Sequence, residues 1–278
     1  MKNLIYQYFD GPDLPGTRAS VRSMKEYAER MGAEHLFEQD PNWLLGTYGQ
    51  NFGKYSPHYG CFKIIYDEYF EQYDKILFVD QDVMVVDNLQ ENIFDLDVGH
   101  VGICTEGLQP EMRKNSSISG VINNANDERW CALLKQVYKV DMPRTESGLP
   151  KVYNSGVVLW TKEGRAHARE NFVKFEEYVA LTRAINPPLP WFYMCDQPYL
   201  HAMLEVAKFD WTEMHPGWNH YVHYEPGTSG DNRPVTDYRN EETKFVHVQL
   251  RGADDWDYDK LHRITNLPVS EWRLNADR

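Results

Sequence analysis

The stretch Ile76-Leu77-Phe78-Val79 carries four consecutive apolar residues and then reaches two aspartates held one residue apart, Asp80 and Asp82. A strand apolar on both faces belongs at the centre of a parallel sheet covered by helices. In an open α/β sheet, ligands bind beyond the carboxyl ends of the strands. Side chains two apart on extended backbone point the same way, so Asp80 and Asp82 converge on one object. Two carboxylates that close repel unless positive charge lies between them, and a hard divalent cation with oxygen ligands meets that need.

The rest of the chain reads as an α/β protein. "NLIYQYF" (3–9) is a first strand, "DGPDLPG" a turn, and the apolar and small positions from Ala19 to Met31 a helix, together half of a βαβ unit. "EHLFEQD" reads as a second strand, and "GCFKIIYDEYFEQYD" as one helix feeding the aspartate strand. "HVGICTE" (100–106) is another short strand; "KNSSISG" and "INNANDER" look like surface loop, and "WCALLKQVYKV" like a helix. "KVYNSGVVLWTK" (151–162) holds a buried strand backed by a single helix, "EGRAHARENFVKFEEYVAL". After a proline-rich break, "CDQPYL" opens a helix, and "TKFVHV" (243–248) is a last strand. With no repeat, linker or low-complexity block, the expectation is one domain over residues 1–278.

Bulk properties exclude some functions. The chain has 278 residues, 42% hydrophobic, enough for a proper core. With 29 Lys+Arg against 42 Asp+Glu its formal charge is −13, which repels phosphate backbones and anionic lipid. Neither nucleic acid nor a membrane is an expected partner, and an anionic substrate would need cations placed at the site. Cys61, Cys104, Cys131 and Cys195 form no CxxC pair and read as reduced, mostly buried thiols. No stretch approaches the ~20 apolar residues of a membrane span, and the N-terminus lacks a signal-peptide pattern, so a cytoplasmic location is expected.

Three further fragments bear on chemistry. "YNSGVV" sets Asn154, Ser155 and Gly156 at the start of a buried strand, either as a plain turn or as a place where Gly lets another group approach. "MCDQPYL" puts Asp196 and Gln197 at a helix start, where Asp196 is either an N-cap or a functional acid. "FVHVQLRG" places His247 inside a β-branched strand, as a core residue or a ligand. Trp211, Trp218, Tyr221 and Tyr224, with His215, His220 and His223, cluster in a Gly/Pro-punctuated segment that either floors a glycan groove or covers the sheet edge.

In this order the fragments resemble the nucleotide-sugar glycosyltransferases of the GT-A fold, most closely family 8, the glycogenin and lipopolysaccharide galactosyltransferase type. The matching elements are Lys63 with "YDKILFVDQDVMVV", then "YNSGVVLW", "CDQPYL" and, loosely, "HVQLRGADDW". The resemblance implies a single-domain α/β, Rossmann-like fold with a mostly parallel central sheet flanked by helices. Its nucleotide-binding part is about 1–105 and its donor-sugar and acceptor part about 106–278. It implies a metal-dependent transferase moving a hexose or pentose (glucose, galactose or xylose) from a UDP-sugar to a glycan or other hydroxyl acceptor, with retention. Asp80, Asp82 and His247 would hold Mn²⁺ or Mg²⁺. Tyr6, Gln7, Tyr8 and Asp10 would take the uracil and ribose, with Asp80 near the ribose and Gln81 counted among the nucleotide-binding residues. Lys63 would face the diphosphate or donor sugar. Asn154 and Asp196 would bind sugar hydroxyls, and Gln197 would lie near the anomeric carbon. The closing motif departs from the family pattern: Asp254 or Asp255 stands where a lysine is expected, leaving Arg251 to grip the diphosphate. Three other readings stay open: an inverting transferase with Asp196 as base, a haloacid-dehalogenase-type phosphatase, and a non-catalytic metal-dependent sugar-binding module.

Overall fold

The computed structural model describes residues 1–9, 11, 15–39, 57–107, 109–110, 113, 122–224, 236–237 and 239–250. Strand β1 (Asn3–Phe9) leads into helix α1 (Pro15–Met31) and then β2 (Glu34–Gln39), which pairs parallel with β1. The stretch expected as one helix before the aspartate strand is instead a 3₁₀ turn (Pro57–Phe62), a single turn α2 (Lys63–Tyr66) and a second 3₁₀ stretch (Glu68–Gln72). Asp67 makes the break: its backbone is extended and its carboxylate accepts from the Tyr69 N–H at 2.9 Å. A 3₁₀ helix repeats every three residues, so the Phe62/Ile65 and Phe70/Tyr73 spacings suit it as well as an α-helix.

β3 (Lys75–Val79) pairs parallel with β1, and β4 (Val83–Val85) follows after the turn Asp80-Gln81-Asp82. β5 (Val101–Thr105) comes before α3 (Asn124–Tyr138). "NANDER", expected as loop, is the first part of α3, because the Asn123 side chain caps it by accepting from the Asn126 N–H at 2.9 Å. β6 (Tyr153–Thr161) is buried along its whole length. The single helix expected behind it is two, α4 (Lys162–Asn171) and α5 (Phe175–Ala184). Between them the chain is held open where the Tyr199 hydroxyl donates to the Val173 carbonyl at 2.6 Å. α6 (Asp196–Val206) precedes β7 (Trp211–Glu213), β8 (His220–Tyr224), β9 (Thr236–Asp237) and β10 (Phe245–Leu250).

The central sheet runs β2-β1-β3-β6-β5-β7, parallel except for β6, which is antiparallel to both its neighbours. A second sheet runs β4-β10-β8-β9. Alternation along β3 and β6 divides the core. Ile76, Phe78, Val158 and Trp160 pack with α3, α5 and α6 on one face, while Leu77, Val79, Val157 and Leu159 pack with α1 and the second sheet on the other. Both faces of β3 are thus covered, as its unbroken apolar run requires. The four cysteines are buried, and none is in a disulfide. Among the described residues no helix is long and apolar enough to cross a membrane.

Candidate active site

The reversed strand β6 makes the site. Because it runs against β3, its first residues lie beside the last of β3: Val79 faces Val157, and the Asp80 N–H donates to the Gly156 carbonyl at 2.8 Å. β10 lies antiparallel to β4 with His247 opposite Val83, and the Val248 N–H reaches the Asp82 carbonyl at 2.8 Å. Asp80, Asp82 and His247 consequently each offer a ligand atom within 4.8 Å of the others. His247 Nε2 stands 3.1 Å from Asp82 Oδ1 and 3.8 Å from Asp80 Oδ2. Two carboxylate oxygens and an imidazole nitrogen make a donor set that fits a hard divalent cation such as Mn²⁺ or Mg²⁺.

Neighbouring groups hold this cluster in place. The His247 ring is buried and stacks on Tyr221, centroids 4.5 Å apart and planes 20° from parallel. A Cβ at Gly156 would collide with His247 Cε1 and sit 2.7 Å from Asp80 Oδ2, so a glycine is needed there. β1 and α1 pin the aspartate turn: Gln7 Nε2 donates to the Asp80 carbonyl at 3.2 Å and to Ser20 Oγ at 3.0 Å, Ser20 Oγ donates to the Val83 carbonyl at 2.6 Å, and Thr17 Oγ1 donates to Gln81 Oε1 at 2.8 Å.

Electrostatically the site is short of positive charge. Burial pushes the Asp80 carboxyl up to about 7, with His247 opposing and the Asp82 and Asp196 charges adding to the rise. For His247, burial works against the charged form, but the Asp82 carboxylate beside it, followed by Asp80, outweighs that and raises the imidazole. Each group is asking for a cation among the three.

The residues expected to meet the donor sugar come together as well. Ser155 Oγ donates to Asp196 Oδ2 at 2.6 Å, joining the start of β6 to the first turn of α6. Asp196 is not the N-cap: that position is Cys195, and Asp196 is the first helical residue, where a carboxylate suits the helix dipole. Asn154 Nδ2 donates to Gln197 Oε1 at 2.9 Å, and Gln197 Nε2 donates to Glu106 Oε2 at 3.0 Å. Beside Gln197 lies a small pocket, partly open to solvent, whose walls include Arg113, Asp127, Trp130, Tyr153, Tyr193 and His201.

Other sequence-based expectations are redistributed. Tyr6 and Gln7 are fully buried. The Tyr6 hydroxyl donates to Glu38 at 2.7 Å, so these two side chains support the floor rather than meet a base as expected, while Tyr8 stays partly exposed. Lys63 Nζ donates to both Glu38 oxygens, at 2.6 and 2.8 Å. Trp218, Tyr221 and His220 are buried, with Trp218 edge-on to Phe245, so these three rings pack into the protein instead of offering faces to a glycan, while Trp211 is partly exposed and His215 exposed. Asp10, Arg251, Asp254 and Asp255, with the side chains of His223 and Tyr224, lie outside the described residues. Sequence reasoning missed Glu106, Arg113 and Asn219. Glu106 stands just past the carboxyl end of β5, and the strand-end rule that singled out Asp80 would have found it. Nothing in "HPGWNHY" marks Asn219.

The family model described as "Glycosyl transferase family 8" matches residues 49–248. Among solved structures, the galactosyltransferase LgtC in complex with donor and acceptor sugar analogs is similar over 97% of this chain and 99% of that chain, with a TM-score of 0.52 and 14% identity. An active-site mutant of LgtC gives a TM-score of 0.52 at 12% identity, over 97% of this chain and 99% of that chain. A glycosyltransferase involved in the glycosylation of the major capsid of PBCV-1 aligns over 95% of this chain and 100% of that chain, with a TM-score of 0.49 and 16% identity. No curated protein sequence matches this chain. At such identities the likeness to LgtC is one of fold, the GT-A glycosyltransferase fold.

Proposed function

The chain belongs to glycosyl transferase family 8 and is a glycosyltransferase; from that premise we propose that it moves a hexose or pentose from a UDP-sugar to a hydroxyl of a carbohydrate acceptor, with Mn²⁺ or Mg²⁺ and with retention. The convergence of Asp80, Asp82 and His247 at the carboxyl end of β3 carries this reading. These three residues would hold the cation. The chemistry it supplies when bound is neutralisation of charge on the leaving diphosphate.

The chain's own side chains do the rest. Asp196, tied to Ser155, and Asn154, tied to Gln197, would fix sugar hydroxyls at the start of α6. Gln197 has both ends of its amide engaged, which holds it still beside the anomeric carbon. In a retaining transfer the departing phosphate accepts the acceptor's proton, and no protein base is needed. Family membership leaves neither the phosphatase nor the non-catalytic module standing.

Calorimetry tests the reading: UDP should bind more tightly with Mn²⁺ than in EDTA, and equal affinities would sink it. A panel of UDP-hexoses and UDP-pentoses then identifies the donor, and NMR of the first-formed product should show its anomeric configuration preserved. Under inversion Asp196 is the base, so an inverted product together with a dead Asp196→Asn variant and a mildly affected Gln197→Ala would replace retention.

A further inference from the structure

Behind the three proposed ligands runs a hydrogen-bond chain whose direction can be worked out from its ends. The Gly156 N–H can only donate, so the Asn154 atom 2.9 Å from it is Oδ1. Asn219 stands 2.7 Å from that oxygen and must present its Nδ2 group there. That leaves Asn219 Oδ1 facing His247 Nδ1 at 3.0 Å. A ring nitrogen opposite an oxygen at this distance carries the proton. The far end gives the same answer: the Glu106 carboxylate only accepts, so Gln197 turns its Nε2 to it, and Gln197 Oε1 then requires Asn154 Nδ2. Turning Asn219 over would set two oxygens against each other.

We propose that Asn219 is a positioning residue which fixes His247 with its proton on Nδ1 and directs Nε2 at Asp80 and Asp82, within a relay that ends on Glu106. All four links, from His247 through Asn219, Asn154 and Gln197 to Glu106, donate in the same direction, an arrangement in which each bond polarises the next. A metal-binding histidine ordinarily gives its second N–H to a carboxylate or carbonyl, which sets the tautomer and raises the basicity of the ligating nitrogen. Here two asparagines and a glutamine span the distance between the ring and the carboxylate. Because Asn154 and Gln197 are also the proposed donor-sugar residues, the relay links the nitrogen facing the cation to the groups facing the sugar. This inference rests on the cation reading of the site, but the tautomer itself can be observed without a cation.

The test is NMR on protein carrying ¹⁵N-labelled histidine, metal-free and with diamagnetic Mg²⁺, the His247 signals assigned through His247→Asn. His247 Nδ1 should show a directly bonded proton in both samples and throughout the pH range of the folded protein. In metal-free protein with a neutral ring, Asn219→Leu should move the proton to Nε2, beside the carboxylates, and it should weaken Mn²⁺ binding by about 10–100-fold. Asn219→Asp, which still presents an accepting oxygen, should keep the proton. A neutral ring with its proton on Nε2 and none on Nδ1 in the unmodified protein overturns the proposal, as does native Mn²⁺ affinity in folded Asn219→Leu. A proton on Nδ1 with no Mn²⁺ or Mg²⁺ binding upholds the tautomer assignment and removes the cation reading instead.

Discussion

Gly156→Ala puts one methyl group into the place where β3, β6 and β10 meet. Its carbon would lie 2.7 Å from Asp80 Oδ2, 2.8 Å from His247 Nδ1 and closer still to His247 Cε1. Carbon atoms rest comfortably at about 3.5–4.0 Å, so the ring must retreat by roughly 0.7 Å or more. It has little room: Tyr221 is stacked against it, and Asn219 holds Nδ1 at 3.0 Å. Asp80 is no freer, since its N–H is bonded to the carbonyl of Gly156 itself. Overpacking of this kind typically costs about 1–3 kcal/mol. The functional loss should be disproportionate, because metal–ligand distances tolerate only about 0.2 Å. The comparison is Leu134→Ala in α3, a truncation of a fully buried side chain costing about 2–5 kcal/mol. Urea unfolding should rank Gly156→Ala as no less stable than Leu134→Ala. Mn²⁺ calorimetry and donor turnover per folded molecule should reverse the order, with Leu134→Ala near native and Gly156→Ala reduced by about 10-fold or more. Native Mn²⁺ affinity in folded Gly156→Ala would refute the argument that this glycine makes room for the ligand cluster.

Asp80→Ala and Asp82→Ala should each remove most transfer; near-native turnover at saturating Mn²⁺ in either variant contradicts the ligand assignment. Arg113 is buried, 2.8 Å from Asp127 and 3.4 Å from Glu106, so Arg113→Met strands two carboxylates and should cost about 3–5 kcal/mol in urea unfolding. Burial lowers the His35 imidazole to about 4 and the His201 imidazole to about 3. Below the usual histidine range the unfolded chain then binds more protons than the folded one, so stability falls as pH drops from about 6.5, by up to about 1.4 kcal/mol per pH unit for each fully buried histidine. Denaturation at pH 7, 6 and 5 checks the sign, and His201→Gln should flatten the slope.

What could be read from the sequence follows how locally each feature is determined. The unbroken apolar runs of β3 and β6 announce strands covered on both faces, and the aspartates after β3 announce a site, because periodicity and strand-end position are local properties. The antiparallel sense of β6 is not local, yet it alone brings Asn154 and Gly156 beside Asp80. The broken helices before β3 and after β6 were hidden because tertiary partners, Asp67 capping Tyr69 and Tyr199 taking the Val173 carbonyl, decide them. Tyr6 and Gln7 sit where a nucleotide was expected, but strand position says nothing about which side chains a neighbouring helix or Glu38 will claim. Asn219 went unnoticed for the same reason: its meaning lies in partners 65 and 28 residues away along the chain.

The reversed strand has a consequence for how the molecule folds. Asp80, Gly156 and His247 meet only when segments far apart along the chain have all been brought together, and closing such loops is an entropic cost met before the contacts reward it. No local fragment, neither the aspartate turn nor the β10 strand alone, can present the three ligands. An ion bound there would therefore recognise the assembled topology and have nothing comparable to hold in the unfolded chain. By mass action, Mn²⁺ at 100 times its dissociation constant would stabilise the whole fold by about 2.7 kcal/mol. Manganese supply in solution would then help set how long the folded protein lasts as well as how fast it works.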